Sequence, residues 1–299
     1  MWRQLLDQVI RGDSKALARC ISFVENEQEG YEQLLAALPA SADASIIGIT
    51  GPPGAGKSTL VDALVGEMID AKKRVAVLCV DPSSPFHFGA VLGDRIRMSN
   101  WYTHPDVFIR SLATRGSMGG LHPKIIEICE LVKAAGYDDV IVETVGVGQS
   151  EVEIAGLADT TVVVLVPEGG DEVQTMKAGL MEIADIFVVN KSDRPEADAF
   201  AKNLRQMLAP AFSSHHNEVP VIKTVASTRE GVPELFASIR DSVSGTEVND
   251  QRSWLLAERA WQLIQRHRMK GINKQQLAES IRRQGLKEFN LYQFVSRFY

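Results

Sequence analysis

Apolar positions along this chain fall into two rhythms. Over residues 1–38 they recur at helical spacing: Leu5, Leu6, Val9 and Ile10 form one stripe, Ala16, Leu17, Cys20, Ile21 and Val24 a second, and Leu34, Leu35 and Leu38 follow. From residue 45 the rhythm changes to short, nearly continuous apolar runs. These are SIIGIT (45–50), RVAVLCV (74–80), VFIRSL (107–112), DVIVET (139–144), TTVVVLVP (160–167), DIFVVN (185–190) and VPVIKTVA (219–226). Helical stretches are expected between them over 58–72, 121–135, 172–183 and 195–209, and GVPELFASI opens another with Pro233 in its first turn. Strands buried on both faces read as unbroken apolar runs, and their alternation with helices predicts a mostly parallel sheet covered on both sides. The expected fold class is α/β, an open sheet whose functional edge lies at the C-terminal ends of its strands. Helical extensions flank it, giving expected domains 1–40, 41–240 and 241–299. In the last of these, Trp254, Ala257, Trp261 and Ile264 fall on one side of a helix.

Composition narrows the partners. The 299 residues carry a net charge of −6, which gives no support for non-specific nucleic-acid binding. No run approaches the roughly 18 apolar residues that a membrane helix needs. The opening MWRQLLDQVIRGD lacks the apolar core of a secretory signal, so a cytoplasmic location is expected. Cys20, Cys79 and Cys129 are too far apart in sequence for a zinc-ligand pattern, and read as buried free thiols.

Between the first strand and its helix stands GPPGAGKST, Gly51 to Thr59, a full match to G-x-x-x-x-G-K-[ST] in the context that motif requires. Gly51, Gly54, Ala55 and Gly56 bring main-chain N–H groups close to phosphates, and the following helix start adds its own donors. Lys57 is placed for the outer phosphates and the Ser58 hydroxyl for magnesium, with Thr59 beside it. This is the phosphate site of a P-loop nucleotide-binding fold. At the end of a later strand, VVNKSD holds Asn190, Lys191 and Asp193. A carboxylate at Asp193 accepts from guanine N1–H and its amino group, a donor pair that adenine lacks; Asn190 orients the loop and the Lys191 stem lies over the purine. In VAST, Ala226 and Ser227 are placed to offer N–H groups to the base. The expected ligands are GTP and GDP with Mg2+, and the expected activity is GTP hydrolysis.

Asp81 ends a strand on the functional edge, and Asp94 lies in the loop that follows; both are candidates for the magnesium shell, against a turn role for DPSSP. Arg95 and Arg97 are candidate phosphate partners, with a solvated face or a partner contact as the alternatives. Glu143 ends the DVIVET run with a side chain one methylene longer than aspartate, which suits a carboxylate acting through a magnesium-bound water. Gly146, three residues on, stands where an N–H sensing the γ-phosphate is expected, and Gly148 and Gln149 extend the loop. Gln149 is a candidate for orienting the attacking water, although it stands three residues beyond Gly146. The candidate catalytic set is Lys57, Asp94, Glu143 and Gln149, and the candidate metal set is Ser58, Asp81, Asp94 and Glu143.

The blocks GPPGAGKST, VDPSSP, LGDRIRM, RSLATRGSMGGL, ETVGVGQSE, GDEVQTMKAGLMEIAD and VNKSD, spread over residues 51–193, together resemble the MeaB/ArgK/MMAA family of P-loop GTPases. Members of that family are chaperones of adenosylcobalamin-dependent acyl-CoA mutases. The resemblance implies a homodimer formed through the C-terminal helices, a mutase as partner with the cobalamin adenosyltransferase as a further one, and GTP hydrolysis that gates cofactor loading and protects or reactivates the mutase. It places Asp81, Asp94 and Glu143 at the acidic magnesium positions, and Asp171, Gln174 and Lys177 in an extra switch over 168–180 that faces the partner. Two departures stand out. The chain has His87, Phe88 and Ala90 where the family carries smaller or hydroxylic residues, and PEGGDEVQ in place of PGAGDELQ. Two other functions use the same triphosphate site: a small-molecule kinase, against which the guanine motif argues, and a nickel-inserting metallochaperone, against which the scattered Cys and His argue.

Overall fold

The computed structural model describes residues 2–39, 44–81, 98–114, 121–144, 150–169, 183–208, 219–244, 250–269, 271–285 and 289–298. Three helices come first: α1 (Trp2–Ile10), α2 (Ser14–Glu25) and α3 (Tyr31–Ala36). Asp13 caps α2, its carboxylate accepting from the N–H groups of Lys15 at 2.8 Å and Ala16 at 3.0 Å. A cap of this kind satisfies donors that every helix start leaves open and contributes about 1 kcal/mol. The stripe Leu17, Cys20, Ile21 and Val24 is fully buried.

Among the described residues seven strands follow, all parallel: β1 (Ser45–Thr50), β2 (Val75–Asp81), β3 (Val107–Ala113), β4 (Asp139–Glu143), β5 (Thr160–Leu165), β6 (Ile186–Asn190) and β7 (Val221–Thr224). Their order across the sheet is β3-β2-β4-β1-β5-β6-β7. The intervening helices are α4 (Lys57–Asp70), α5 (Ile125–Ala134), α6 (Ser150–Leu157), α7 (Ala197–Leu208) and α8 (Val232–Ser244). The period-two rule divides each strand between two cores. Val162 and Val164 of β5, with Ile186 and Val188 of β6, join Leu64, Met68, Leu235 and Ile239 from α4 and α8. Val163, Leu165, Phe187 and Val189 join Leu204 and Leu208 of α7 on the other side. Helix α4 is buried on most of its surface because it lies between the sheet and α8.

β1 sits between β4 and β5, and the chain leaves it first towards one edge and later towards the other. Ligands of open parallel sheets bind at that switch point, beyond the strand C-termini. The boundaries differ from the sequence reading in ways that have causes. β5 stops at Leu165 and gives way to a 3-10 turn over Pro167–Gly169, since Pro167 has no N–H to continue a ladder. β2 runs one residue further than expected, to Asp81, because its pairing with β3 continues to the register Asp81↔Ala113. The helix expected over 172–183 lies almost wholly outside the described residues.

The N-terminal helices are fastened to the β3–α5 side by charge as well as by apolar contact. Glu25 accepts from Arg110 Nη2 at 2.6 Å, and the same Nη2 donates to Ser22 Oγ at 3.0 Å. His122, buried, stands 3.6 Å from Glu25 Oε1. All three cysteines are buried and free, and burial pushes the Cys20 thiol up to about 11. Among the described residues no helix is long and apolar enough to cross a membrane.

Residues 1–252 form one compact unit and 253–299 a second. The C-terminal segment contributes α9 (Asp250–Arg268), α10 (Lys274–Gln284) and α11 (Leu291–Val295). Phe294 lies 5.4 Å from the Phe289 ring and 5.5 Å from the Phe298 ring, a small aromatic cluster of its own. Trp254 and Trp261 of α9 are 75% and 58% exposed.

Candidate functional site

The site grows out of β1. After Thr50 the chain turns through Gly51–Gly56 and enters α4 at Lys57. Two glycines there are required by the path. Gly51 has φ +137° and a Cβ on it would stand 2.1 Å from the Val164 carbonyl; Gly56 has φ +88° and a Cβ on it would stand 2.4 Å from Asn190 Nδ2. Gly56 is also the N-cap of α4 and supplies no capping side chain, so the first N–H groups of the helix are left for an anion. The buried Lys57 ammonium donates to the carbonyls of Gly51 at 2.8 Å and Pro52 at 3.1 Å, which places it inside the loop it spans. Thr59 is exposed beside it.

Ser58 and Glu143 meet. The Ser58 hydroxyl donates to Glu143 Oε1 at 2.7 Å, and both residues are buried. The meeting is fixed by sheet register: Ile49 is level with Glu143 on one side, and Cys79 of β2 is level with it on the other. Asp81, two residues beyond Cys79, therefore ends on the same edge, and it too is buried. The Thr114 N–H donates to the Asp81 carbonyl at 3.0 Å. Thr144, next after Glu143, is pinned to β1 twice, by its N–H to the Ile49 carbonyl at 3.0 Å and by its hydroxyl against that of Thr50 at 2.9 Å.

The donors gathered here are hydroxyl and carboxylate oxygens, the set that a hard cation such as Mg2+ takes. Among the described residues no cluster of three or more His, Cys, Asp and Glu is arranged to hold a metal ion. Ser58, Asp81 and Glu143 are the described residues that fit such a cation.

The second half of the site hangs on Asn190, at the end of β6. Its Nδ2 donates to the Ala55 carbonyl at 2.9 Å, and its Oδ1 accepts from Thr224 Oγ1 at 3.1 Å and the Ala226 N–H at 3.2 Å. One buried amide thus holds the phosphate loop, β6 and the segment after β7 in one arrangement. Lys191, in the left-handed region at φ +57°, extends its Nζ to the Gly54 carbonyl at 2.7 Å. Asp193 is exposed at the turn that follows. The Ala226 N–H, a candidate donor to the base, here donates to Asn190 Oδ1, and Ser227 lies exposed next to it.

Asp94, Gly146 and Gln149 lie outside the described residues, as do His87, Phe88, Ala90, Arg95, Arg97, Gly148, Asp171, Gln174 and Lys177. Sequence reasoning missed three contacts that shape the site. The Thr50–Thr144 pair carries no motif and depends on register. Trp101 Nε1 donates to Asp62 Oδ1 of α4 at 2.8 Å, which fixes the chain just after residue 97. Arg194, next after Asp193, forms an ion pair with Glu168; the only signal was that Glu168 stands in the PEGG departure.

Comparison with known proteins adds the following. Residues 17–280 match the family described as methylmalonyl Co-A mutase-associated GTPase MeaB. A putative GTPase of Pyrococcus abyssi is 49% identical over 245 residues, 80% of this chain and 75% of that one. A fused isobutyryl-CoA mutase of Geobacillus kaustophilus is 35% identical over 255 residues, 80% of this chain and 23% of the larger protein. The crystal structure of a LAO/AO transport system kinase superposes with a TM-score of 0.69 at 26% identity, covering 99% of this chain and 96% of that one.

Proposed function

The chain belongs to the family of methylmalonyl-CoA mutase-associated GTPases, MeaB, and on that premise we propose that it is the GTP-driven chaperone of an adenosylcobalamin-dependent acyl-CoA mutase, gating cofactor loading and protecting or reactivating that enzyme. It is a GTPase with a P-loop α/β fold, and it binds GTP and GDP. One observation carries the choice of partner. A region similar to four fifths of this chain is covalently joined, in the Geobacillus protein, to an isobutyryl-CoA mutase. The chaperone work itself, a homodimer built on residues 241–299, the adenosyltransferase as a further partner and a cytoplasmic location are parts of the same proposal.

The chemistry proposed is in-line attack of water on the γ-phosphate of GTP. Main-chain N–H groups of Gly51–Gly56 and the start of α4 cradle the phosphates. The Lys57 ammonium moves from two loop carbonyls, where it already sits within 3.1 Å, to the β and γ oxygens, and offsets charge as the bond to the leaving GDP lengthens. Ser58, with Glu143 and Asp81 behind it, would hold a bound Mg2+, directly and through its waters, and the ion would supply further neutralisation of phosphate charge. Asn190 keeps the guanine turn in register with the phosphate loop, and Asp193 reads guanine. Gln149 or a residue of the partner orients the water, so turnover of the isolated protein is expected to be slow.

The test is a pull-down of adenosylcobalamin-dependent acyl-CoA mutases by the full chain, loaded either with GDP or with a non-hydrolysable GTP analogue. A nucleotide-dependent complex with one of them, and faster GTP hydrolysis within it, is the expected result. Engagement of none in either state overturns the chaperone reading while leaving the GTPase intact.

A further inference from the structure

Glu168 and Arg194 belong to different sides of the guanine turn. Glu168 sits on the 3-10 turn that Pro167 opens after β5. Arg194 follows directly on Asp193, and its N–H closes the turn on the Lys191 carbonyl at 3.1 Å. The other hydrogen bonds described for residues 190–194 run to the phosphate loop, to β7 and the residues after it, or within the turn. The Arg194 guanidinium instead reaches the turn after β5, where Nη1 donates to Glu168 Oε1.

From this geometry we infer that Glu168 and Arg194 form a clasp across the guanine end of the site that slows release of the bound nucleotide. The inference rests on the reading of Asn190–Asp193 as the guanine turn. Both partners stand on backbone that is already fixed. Pro167 has a locked φ, and the Arg194 turn is closed by its own hydrogen bond and by the Ser192 N–H to the Thr224 carbonyl at 3.0 Å. Little backbone entropy is therefore lost when the pair forms. Glu168 is held below its ordinary carboxylate range, first by the hydrogen bond from Arg194 and in smaller part by the charges of Arg194 and Lys191. The anion at 168 thus faces two cations of the guanine turn, one of which, Lys191, is bound to the phosphate loop. On this inference, departure of the base swings this turn away from the β5 end and breaks the pair.

Both side chains are exposed, 44% for Arg194 and 51% for Glu168, so the effect is modest and salt-screened. An exposed pair of this kind changes an opening rate by about two- to fivefold. Glu168 stands in the PEGG departure noted above, at the start of the stretch that the family resemblance assigns to an extra switch.

The experiment measures release of a fluorescent GDP analogue from the full chain, chased with excess GDP, for wild type, Glu168→Gln, Arg194→Gln and the double variant. Each single change is expected to speed release about two- to fivefold, and the double no further than either single, since both remove one interaction. Raising the salt is expected to speed release from wild type more than from the variants. Unchanged release in the singles, or a double variant whose effect is the product of the two, overturns the clasp. Failure of wild type to bind the GDP analogue would instead overturn the guanine-turn reading on which the clasp stands. Unfolding temperatures within a degree or so of wild type are expected for both singles, as for other exposed positions; a large drop together with faster release would make the pair structural and overturn the assignment.

Discussion

The bond between Ser58 and Glu143 is where residue chemistry and function meet most closely. A serine at the start of α4 donates its hydroxyl proton to a glutamate 85 positions later at 2.7 Å in a buried setting. Replacing Glu143 with Gln keeps the length and one oxygen but removes the charge proposed to hold cation-bound waters. GDP binding without magnesium should stay near wild type, while magnesium-dependent hydrolysis falls about 10- to 100-fold, the usual range for outer-shell ligands. Hydrolysis at the wild-type rate in that variant would reduce Glu143 to a buried strand end. Lys57, Ser58 and Asn190 were readable because spacing alone identifies them. Glu143 was readable as a strand-end acid and a candidate for the magnesium shell, but its hydrogen bond to Ser58 was not, since the sequence does not say which strand lies beside the phosphate loop. The Thr50–Thr144 contact was not readable at all. It exists because β4 pairs with β1 in the register Ile49↔Glu143, a relation between segments far apart in the chain.

Among elements, the apolar runs announced strands because the central ones, β1, β2, β4, β5 and β6, are buried on both faces, and burial of that kind leaves no polar alternation to confuse with a helix; β3 and β7, at the sheet edges, carry half-buried or exposed positions. What the runs could not announce was order. Asp139 illustrates the cost of that order. As the first residue of β4, level with Ser45 and Val75 on its two neighbours, it is carried into the sheet with only 2% exposure. Burial raises its carboxyl above the ordinary value, with the Arg240 charge on α8, 3.9 Å away, pulling the other way. A raised folded-state value means that the native chain binds more protons than the unfolded one between the two values. The contribution of Asp139 to stability is therefore fully present in acid below about pH 4 and is lost as pH rises through the folded value. Thermal unfolding of Asp139→Asn across pH 4 to 8 should show the variant gaining on wild type as pH rises. A gain for wild type over the same span would mean that the pairing with Arg240 outweighs burial.

At the scale of the whole molecule, the unanswered surface is on α9. Trp254 and Trp261 recur at i and i+7 and remain exposed, with Leu256 and Ile264 about half exposed near them. Large exposed apolar side chains in one stripe mark an interaction surface more often than a solvated one. The proposed homodimer gives them a partner of their own kind, as closed two-fold contacts do. The charge of the same region decides how such a dimer should respond to salt. Residues 253–299 hold nine Lys and Arg against three Asp and Glu, so the negative excess of the chain lies entirely outside them. Two such regions meeting through apolar side chains repel electrostatically, and screening relieves that repulsion. Light scattering on the eluted full chain should thus report a dimer that persists, or tightens, as salt is raised. Trp254→Ala with Trp261→Ala should shift it to monomer, each Trp at the centre of a contact being worth about 2 kcal/mol or more, while GDP binding in residues 1–252 is retained. A dimer that salt dissolves would place its basis in attraction between the basic region and the acidic remainder of the second copy. A wild-type chain that is monomeric at every salt concentration would remove the dimer from the proposal and leave the tryptophans to the mutase.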